Sequence, residues 1–189
     1  MSIVSTTRMT AQQFLQMGED PPGLRLELVD GEVAVSPSPI PAHGYALLRL
    51  AAKLVEHVEK HDLGRVYPDI DTIFGEYDVR RPDLLYFSKS RLHLIGKKAM
   101  EGAPDLCIEI ISPSSGTIDR RDKFAQYAAA GVEFYWIVDP KTKTFEGFAL
   151  EHGAYRETGQ AGHDDTIWLP PFPDLPIHLG EIWQPELSS

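Results

Sequence analysis

Carboxylates placed where water is scarce are the first residues in this chain that could do chemistry. The stretch APDLCIEIISPSS, residues 103–115, has the composition of an apolar strand, yet Asp105 opens it and Glu109 interrupts Cys107, Ile108, Ile110 and Ile111. An ionised carboxylate in a strand buried on both faces is expensive unless it is paired, hydrogen-bonded or bound to a cation. A second acid, Asp83, follows a proline at the start of another apolar run, RPDLLYF. If the two strands are neighbours, Asp83 and Glu109 converge at one end of a sheet. Two oxygen donors with positions left for water and phosphate oxygens suit a magnesium ion. Such an ion can generate hydroxide and stabilise charge on a phosphate under attack. Lys123 follows in the next helical segment, where it could orient the attacking water or neutralise developing charge.

Each of these residues also has a structural role open to it. Acids after proline, such as Asp83 and Asp105, are common turn and cap residues. Glu109 could pair with an arginine such as Arg81, and Lys123 could be a solvated helix residue.

The elements that must position these groups are legible in outline. MTAQQFLQM reads as a short helix with Thr10 as its N-cap. LRLELVDGEVAVSP alternates on both sides of Asp-Gly, which is a strong hairpin signal. From Ala42 to about His61, Leu47, Leu48, Leu50, Ala51, Leu54, Val55 and Val58 recur at helical spacing. RVYPDIDTIF, DLLYFS and DLCIEIIS read as three strands. Asp119 to Ala130 reads as a helix stopped by Gly131, FYWIVDP as a buried strand, and TFEGFAL with AYRETGQ as a hairpin. The proline-rich tail LPPFPDLPIHL is expected to be irregular. This order predicts one α/β (α+β mixed) domain over residues 1–189, with a central mixed sheet flanked by helices.

The chain has 189 residues, a formal charge of −10 and one cysteine. No run is long and apolar enough for a bilayer and the N-terminus lacks signal-peptide layout, so a cytoplasmic, membrane-free protein is expected. The acidity argues against polyanion binding by the whole surface, although cations gather in 80–98 and 120–123. Neither the seven histidines nor the lone Cys107 shows zinc spacing, and no phosphate-binding glycine loop or Gly-x-Ser-x-Gly elbow occurs.

Taken together, ELVDGEVAVSPSPIPAH, RPDLLYF, GAPDLCIEIISPSS, DRRDKFAQYAAAGVEFYWIVDP and FPDLPIHLGEIW resemble the Uma-two family, bacterial proteins regarded as nucleases with a restriction-endonuclease-like fold. The resemblance runs from about Leu26 to Trp183. It implies a PD-(D/E)xK core: a helix (Ala42 to His61), a three-stranded antiparallel unit, a second helix and a fourth strand. Asp83 would be the Pro-Asp acid and Glu109 the acid of the second motif, with the Ile110 carbonyl completing the shell of a Mg2+ (or Mn2+) ion. The lysine expected two residues after Glu109 is replaced by Ile111. In the family it has moved to the following helix, which matches Lys123, with Asp119 four residues before it. His43 matches a histidine at the start of the first core helix and could bind phosphate or water, act in proton transfer, or cap the helix. Glu27, more than Glu32, could add a carboxylate at the cleft mouth, because it alternates with Leu26 and Leu28.

Three functions remain open on the sequence. One is a magnesium-dependent endonuclease acting on DNA, paired as a homodimer through the FYWIVDP strand or the tail. Another is an inactive nucleic-acid-binding or regulatory module of the same fold. The third is a hydrolase of a small phosphorylated substrate.

Overall fold

The computed structural model describes residues 8–112 and 119–185, apart from the side chain of Asp119. Turn chemistry sets the first sheet. Strands β1 (Leu24–Val29) and β2 (Glu32–Pro37) pair antiparallel around Asp30 and Gly31. Both turn residues have positive φ, 52° and 80°, which a tight hairpin demands and Asp-Gly supplies. Strand β4 (Thr72–Gly75) pairs with β5 (Asp78–Arg80), and β5 with the free side of β1, giving the order β2-β1-β5-β4. Helix α1 (Ala11–Phe14) starts at a Thr10–Gln13 capping box and packs Phe14 into a small core with Leu28 and Val79.

The long helix α2 (Pro41–Lys60) begins on proline, whose fixed φ and missing N–H suit a first turn. His43, Ala46, Leu50, Leu54 and Val58 form its buried stripe, so His43 is carried inward by the periodicity that buries the leucines.

The central sheet has the order β10-β9-β8-β7-β6-β3. Its members are β3 (Gly64–Pro68), β6 (Leu84–Ser88), β7 (Leu106–Ile110), β8 (Phe134–Asp139), β9 (Thr144–Glu151) and β10 (Ala154–Gly162). Strand β6 runs antiparallel to both β3 and β7, whereas β7 and β8 are parallel. A parallel pair needs a crossover. Here it includes a π-helical turn, Asp119–Lys123, that runs into α3 (Phe124–Ala129). The fold is therefore the expected mixed α/β sheet with flanking helices, an N-terminal hairpin, and the β9–β10 hairpin near the C-terminus.

Alternation along β7 divides the interior. Leu106, Ile108 and Ile110 join Trp136, Val138 and the leucines of α2 in one core. Cys107 joins Tyr127, Tyr135 and Ile137 in another. Glu109 shares the second face, toward α3.

Four expectations need correction. RVYPDIDTIF is two strands: β3 ends at Pro68, Asp69 takes a φ of 53°, and the chain resumes as β4 in the other sheet. The helix expected from Asp119 opens as a π-turn. The tail is ordered as β11 (Thr166–Leu169) paired with β12 (Phe172–His178). Pro173 and Pro176 sit at its exposed positions while Phe172, Leu175 and Ile177 are buried, so the missing N–H groups fall on a two-stranded ribbon that tolerates them. Finally, β8, the FYWIVDP strand, lies between β7 and β9 with its centre buried, which removes it as a dimer contact. No described helix is long and apolar enough to cross a membrane.

Gly64 pairs with Ser88 where β3 meets β6, and a Cβ there would lie 2.0 Å from the Phe87 carbonyl oxygen. Because the obstacle is backbone, Gly64→Ala should destabilise the protein by about 1–3 kcal/mol, read as a lower urea midpoint. An unchanged midpoint would show that this strand pair yields easily.

Candidate active site

The register of the antiparallel β6–β7 pair sets Leu84 against Ile108. One step further along, Asp83 stands opposite Glu109 at the end of the sheet. Both are almost completely buried, 3% and 2% exposed, so every contact they make counts. Asp83 Oδ2 accepts the Ile110 N–H at 2.7 Å and lies 3.1 Å from His43 Nε2. Its Oδ1 accepts from Arg25 Nη1 at 3.2 Å. Glu109 Oε1 accepts the Tyr127 hydroxyl at 2.6 Å, and Oε2 accepts Lys123 Nζ at 2.8 Å. Lys123 and Tyr127 lie one helical turn apart, which brings both to the face that Glu109 shares.

A third buried acid comes from the hairpin sheet. Glu27 Oε1 accepts the Arg81 N–H at 2.9 Å, and Oε2 accepts Arg80 Nη1 at 3.1 Å. Arg80 continues through Nε to Gln126 Oε1 at 2.6 Å, which ties β5 to α3.

The electrostatics follow from this crowding. Burial would raise the pKa of Asp83, but the His43 hydrogen bond and the charges of His43, Arg25 and Lys123 outweigh it, and the carboxyl is held below its ordinary value. Glu27 behaves alike. Burial pushes it up, whereas Lys123, Arg80, the Arg81 N–H and Arg25 bring it below the usual range. Burial and the neighbouring Glu109 charge push Tyr127 well up, so its hydroxyl stays a donor. Arg25 loses hydration by burial yet is held above its normal value by Asp83, Asp69, Glu109 and Glu27. Asp83, Glu109, Glu27, Lys123 and Arg25 thus share one field.

Asp83, Glu109, Lys123, His43, Glu27 and the backbone of Ile110 come together as one cluster. The side chain of Asp119 lies outside the described residues, and Glu32 is exposed on β2, away from the cluster. Glu109 takes Lys123 where an arginine such as Arg81 was considered; Arg81 instead pairs with Asp20 and Asp71. Asp105 is a structural acid, accepting the Ser88 N–H at 2.6 Å and its hydroxyl at 3.1 Å. Of the basic clusters, Arg80 and Arg81 turn inward to these acids, Lys89 pairs with Asp62 and Arg120 with Glu146. Sequence reasoning missed Arg25 and Arg80. Arg25 had a signal, since it stands two residues before Glu27 on the same face of β1.

Among the described residues no group of three or more His, Cys, Asp or Glu is arranged to hold a metal. The donor set nevertheless fits a magnesium-type ion, which is commonly held by one or two carboxylates with waters completing the shell. Beside Asp83 lies a cavity of about 220 Å3, lined in part by Asp20, Arg25, His43, Asp69 and Arg81. Arg25 Nε and His43 Nδ1 are buried without a hydrogen-bond partner among the described residues.

Two acids from adjacent strands at the end of a mixed sheet, with a helix on each side, are the ground plan of a restriction-endonuclease-like domain. The family model of Uma2, described as "Putative restriction endonuclease", matches residues 11–180, and the chain belongs to that family. A crystal structure described as "a putative nuclease belonging to DUF820", from Anabaena variabilis, is similar in fold. Its TM-score is 0.75 at 21% identity, over 92% of this chain and 97% of that one. No curated protein matches the chain.

The buried Glu109–Lys123 pair makes a stability prediction. Removing one partner strands the other charge, so Lys123→Met should cost about 3–5 kcal/mol, measured by urea unfolding. Combined with Glu109→Gln the loss should be smaller than the sum of the two single losses. Additive losses would mean that the two groups are not coupled.

Proposed function

We propose that the chain is a magnesium-dependent nuclease that hydrolyses phosphodiester bonds of DNA, with Asp83, Glu109, Lys123 and His43 as its catalytic group. The observation that carries the proposal is the meeting of Asp83, Glu109 and Lys123 at one buried sheet end, with Lys123 Nζ 2.8 Å from Glu109. Asp83, Glu109 and the carbonyl of Ile110 would hold Mg2+ or Mn2+, and Glu27 offers a further carboxylate nearby. When bound, the ion would supply Lewis-acid charge and make water a better nucleophile at neutral pH.

The chain's own groups would do the rest. Tyr127 fixes the Glu109 carboxylate through its hydroxyl. Lys123 would donate to a phosphate oxygen or hold the attacking water as charge develops. His43 steadies Asp83 and would pass a proton to the leaving oxygen. Residues i and i+2 of a strand share a face, and Ile111 packs in the same apolar cluster as Tyr127. Lys123 approaches that face from the helical turn, which supports it as the relocated lysine of the PD-(D/E)xK pattern. Asp119, four residues before Lys123, remains a candidate from the sequence. A cytoplasmic location and a homodimer that offers two sites to the two strands of a duplex complete the proposal.

One observation favours a second reading, a non-catalytic nucleic-acid-binding or regulatory module. Each of the three buried acids already sits beside a cation, namely Arg25, Lys123 or Arg80.

The test is cleavage of supercoiled plasmid. Magnesium should support nicking and a chelator should stop it. Asp83→Ala and Glu109→Ala should abolish it while circular dichroism stays native. Lys123→Ala should slow it about 100- to 1,000-fold, the size expected for a lost donor to transition-state charge. Cleavage persisting in Asp83→Ala and Glu109→Ala would overturn these roles, and no cleavage with any divalent ion would favour the module.

A further inference from the structure

Arg25 has no part in the chemistry proposed above, yet it holds the acid on which that chemistry depends. Its Nη1 lies 3.2 Å from Asp83 Oδ1, while Nη2 reaches Asp69 and the Arg81 carbonyl oxygen. The other oxygen of Asp83 is engaged by the Ile110 N–H and His43. A cation approaching Asp83 most readily meets Oδ1, whose one donor among these contacts is Arg25. The Ile110 N–H is fixed in β7, and His43 is locked into the buried stripe of α2. Arg25 is the donor with somewhere to go. Its side chain is 18% exposed, it lines the cavity beside Asp83, and its second carboxylate, Asp69, is 58% exposed at the rim.

We propose that Arg25 is the residue that couples metal to substrate: it occupies Asp83 in the metal-free protein, yields that carboxylate to the divalent ion, and turns its guanidinium to a phosphate of the nucleic acid. The inference rests on reading the site as a nuclease centre. Two cations cannot share Asp83 cheaply at this burial, because unit charges a few ångströms apart repel strongly where water is scarce. The ion is therefore bound weakly while Arg25 remains. A phosphodiester arriving in the cavity offers the guanidinium a planar, two-point partner instead. Metal and phosphate then bind better together than apart, and by linkage each raises the affinity of the other equally.

The test is titration calorimetry of Mg2+ into the full chain, with and without a short phosphorothioate DNA duplex. The wild-type protein should bind Mg2+ about 5- to 150-fold more tightly with the duplex present, the usual span of such couplings. Arg25→Gln should bind Mg2+ more tightly than wild type without DNA and should lose most of the enhancement. Asp69→Asn should act in the opposite sense, weakening Mg2+ binding without DNA, because it leaves Arg25 fully on Asp83. Asn tolerates the positive φ of 53° at that position, and it keeps the size and a hydrogen-bonding oxygen of the exposed Asp69 side chain. This second variant therefore reports even if Arg25→Gln folds poorly. If Mg2+ binds the wild type equally well with and without DNA, or if neither variant shifts its affinity, Arg25 is not the coupling residue, although the nuclease reading stands. If Mg2+ binds under neither condition, both fail.

Discussion

Where the β6–β7 ladder stops at the Leu84–Ile108 pair, the next inward N–H, that of Ile110, is given to a side chain. The acceptor is Asp83, and the bond does two things at once. It satisfies a buried backbone donor, which would otherwise be costly. It also fixes a buried carboxylate against the strand that carries Glu109. Everything else at the site is arranged around two acids held together, because Asp83 is tied to the backbone of Ile110, the residue after Glu109. His43 and Arg25 complete the coordination of Asp83, while Tyr127 and Lys123 do the same for Glu109. The opening puzzle of Glu109 thus has a direct answer in the fold. Its apolar strand tolerates it because the π-turn brings an ammonium, and α3 a hydroxyl, to its two oxygens.

The same charges tie the hairpin sheet to α3 and to the end of the central sheet. Arg80 spans Glu27 and Gln126, and Gln126 reaches Asp78 at 2.6 Å. Arg81 spans Asp20 and Asp71, and Arg25 runs from β1 to Asp83. Buried ion pairs of this kind are often no more stabilising than well-packed apolar side chains of the same volume. A fold selected only for stability had no need of them. What they would supply, on the coupling proposed for Arg25, is a polar interior in which a guanidinium can change partners. An apolar joint between the sheets could not receive a charged ligand.

How much of this was legible follows from the range of each signal. The Asp-Gly hairpin and the α2 stripe are local, and both were plain in the residues. The pairing of Asp83 with Glu109 needed only the assumption that two apolar strands are neighbours. Glu27 was picked out by alternation alone. Arg25 was missed because an arginine in an alternating strand usually faces water, and Arg80 because no strand was expected at 78–80, where β5 holds it against Glu27 and Gln126. The break at Pro68 and Asp69 carried a turn signal of its own, Pro-Asp, which the apolar residues on both sides masked. The tail misled for the opposite reason: Pro173 and Pro176 argue against a ladder, but both lie on the exposed side of a two-stranded ribbon. Asp83, Glu109 and Lys123 could be named before the fold, whereas the cations that hold two of the three buried acids could not.

A chain with a net charge of −10 that handles a polyanion must concentrate its attraction. Several of its cations are spent internally: Arg25, Arg80, Arg81 and Lys123 all face carboxylates in or beside the site. Nucleic-acid affinity grows with the number of phosphates neutralised, and so does its sensitivity to salt. A surface this acidic can neutralise few, so long duplex tracts would gain little from it beyond the site. Binding would then be governed by the one or two phosphates that reach the buried acids, with cations released from them as the ligand arrives. On this argument the acidity is a selectivity device. On the proposed function it would keep the protein off bulk nucleic acid and leave recognition to the place where chemistry would follow.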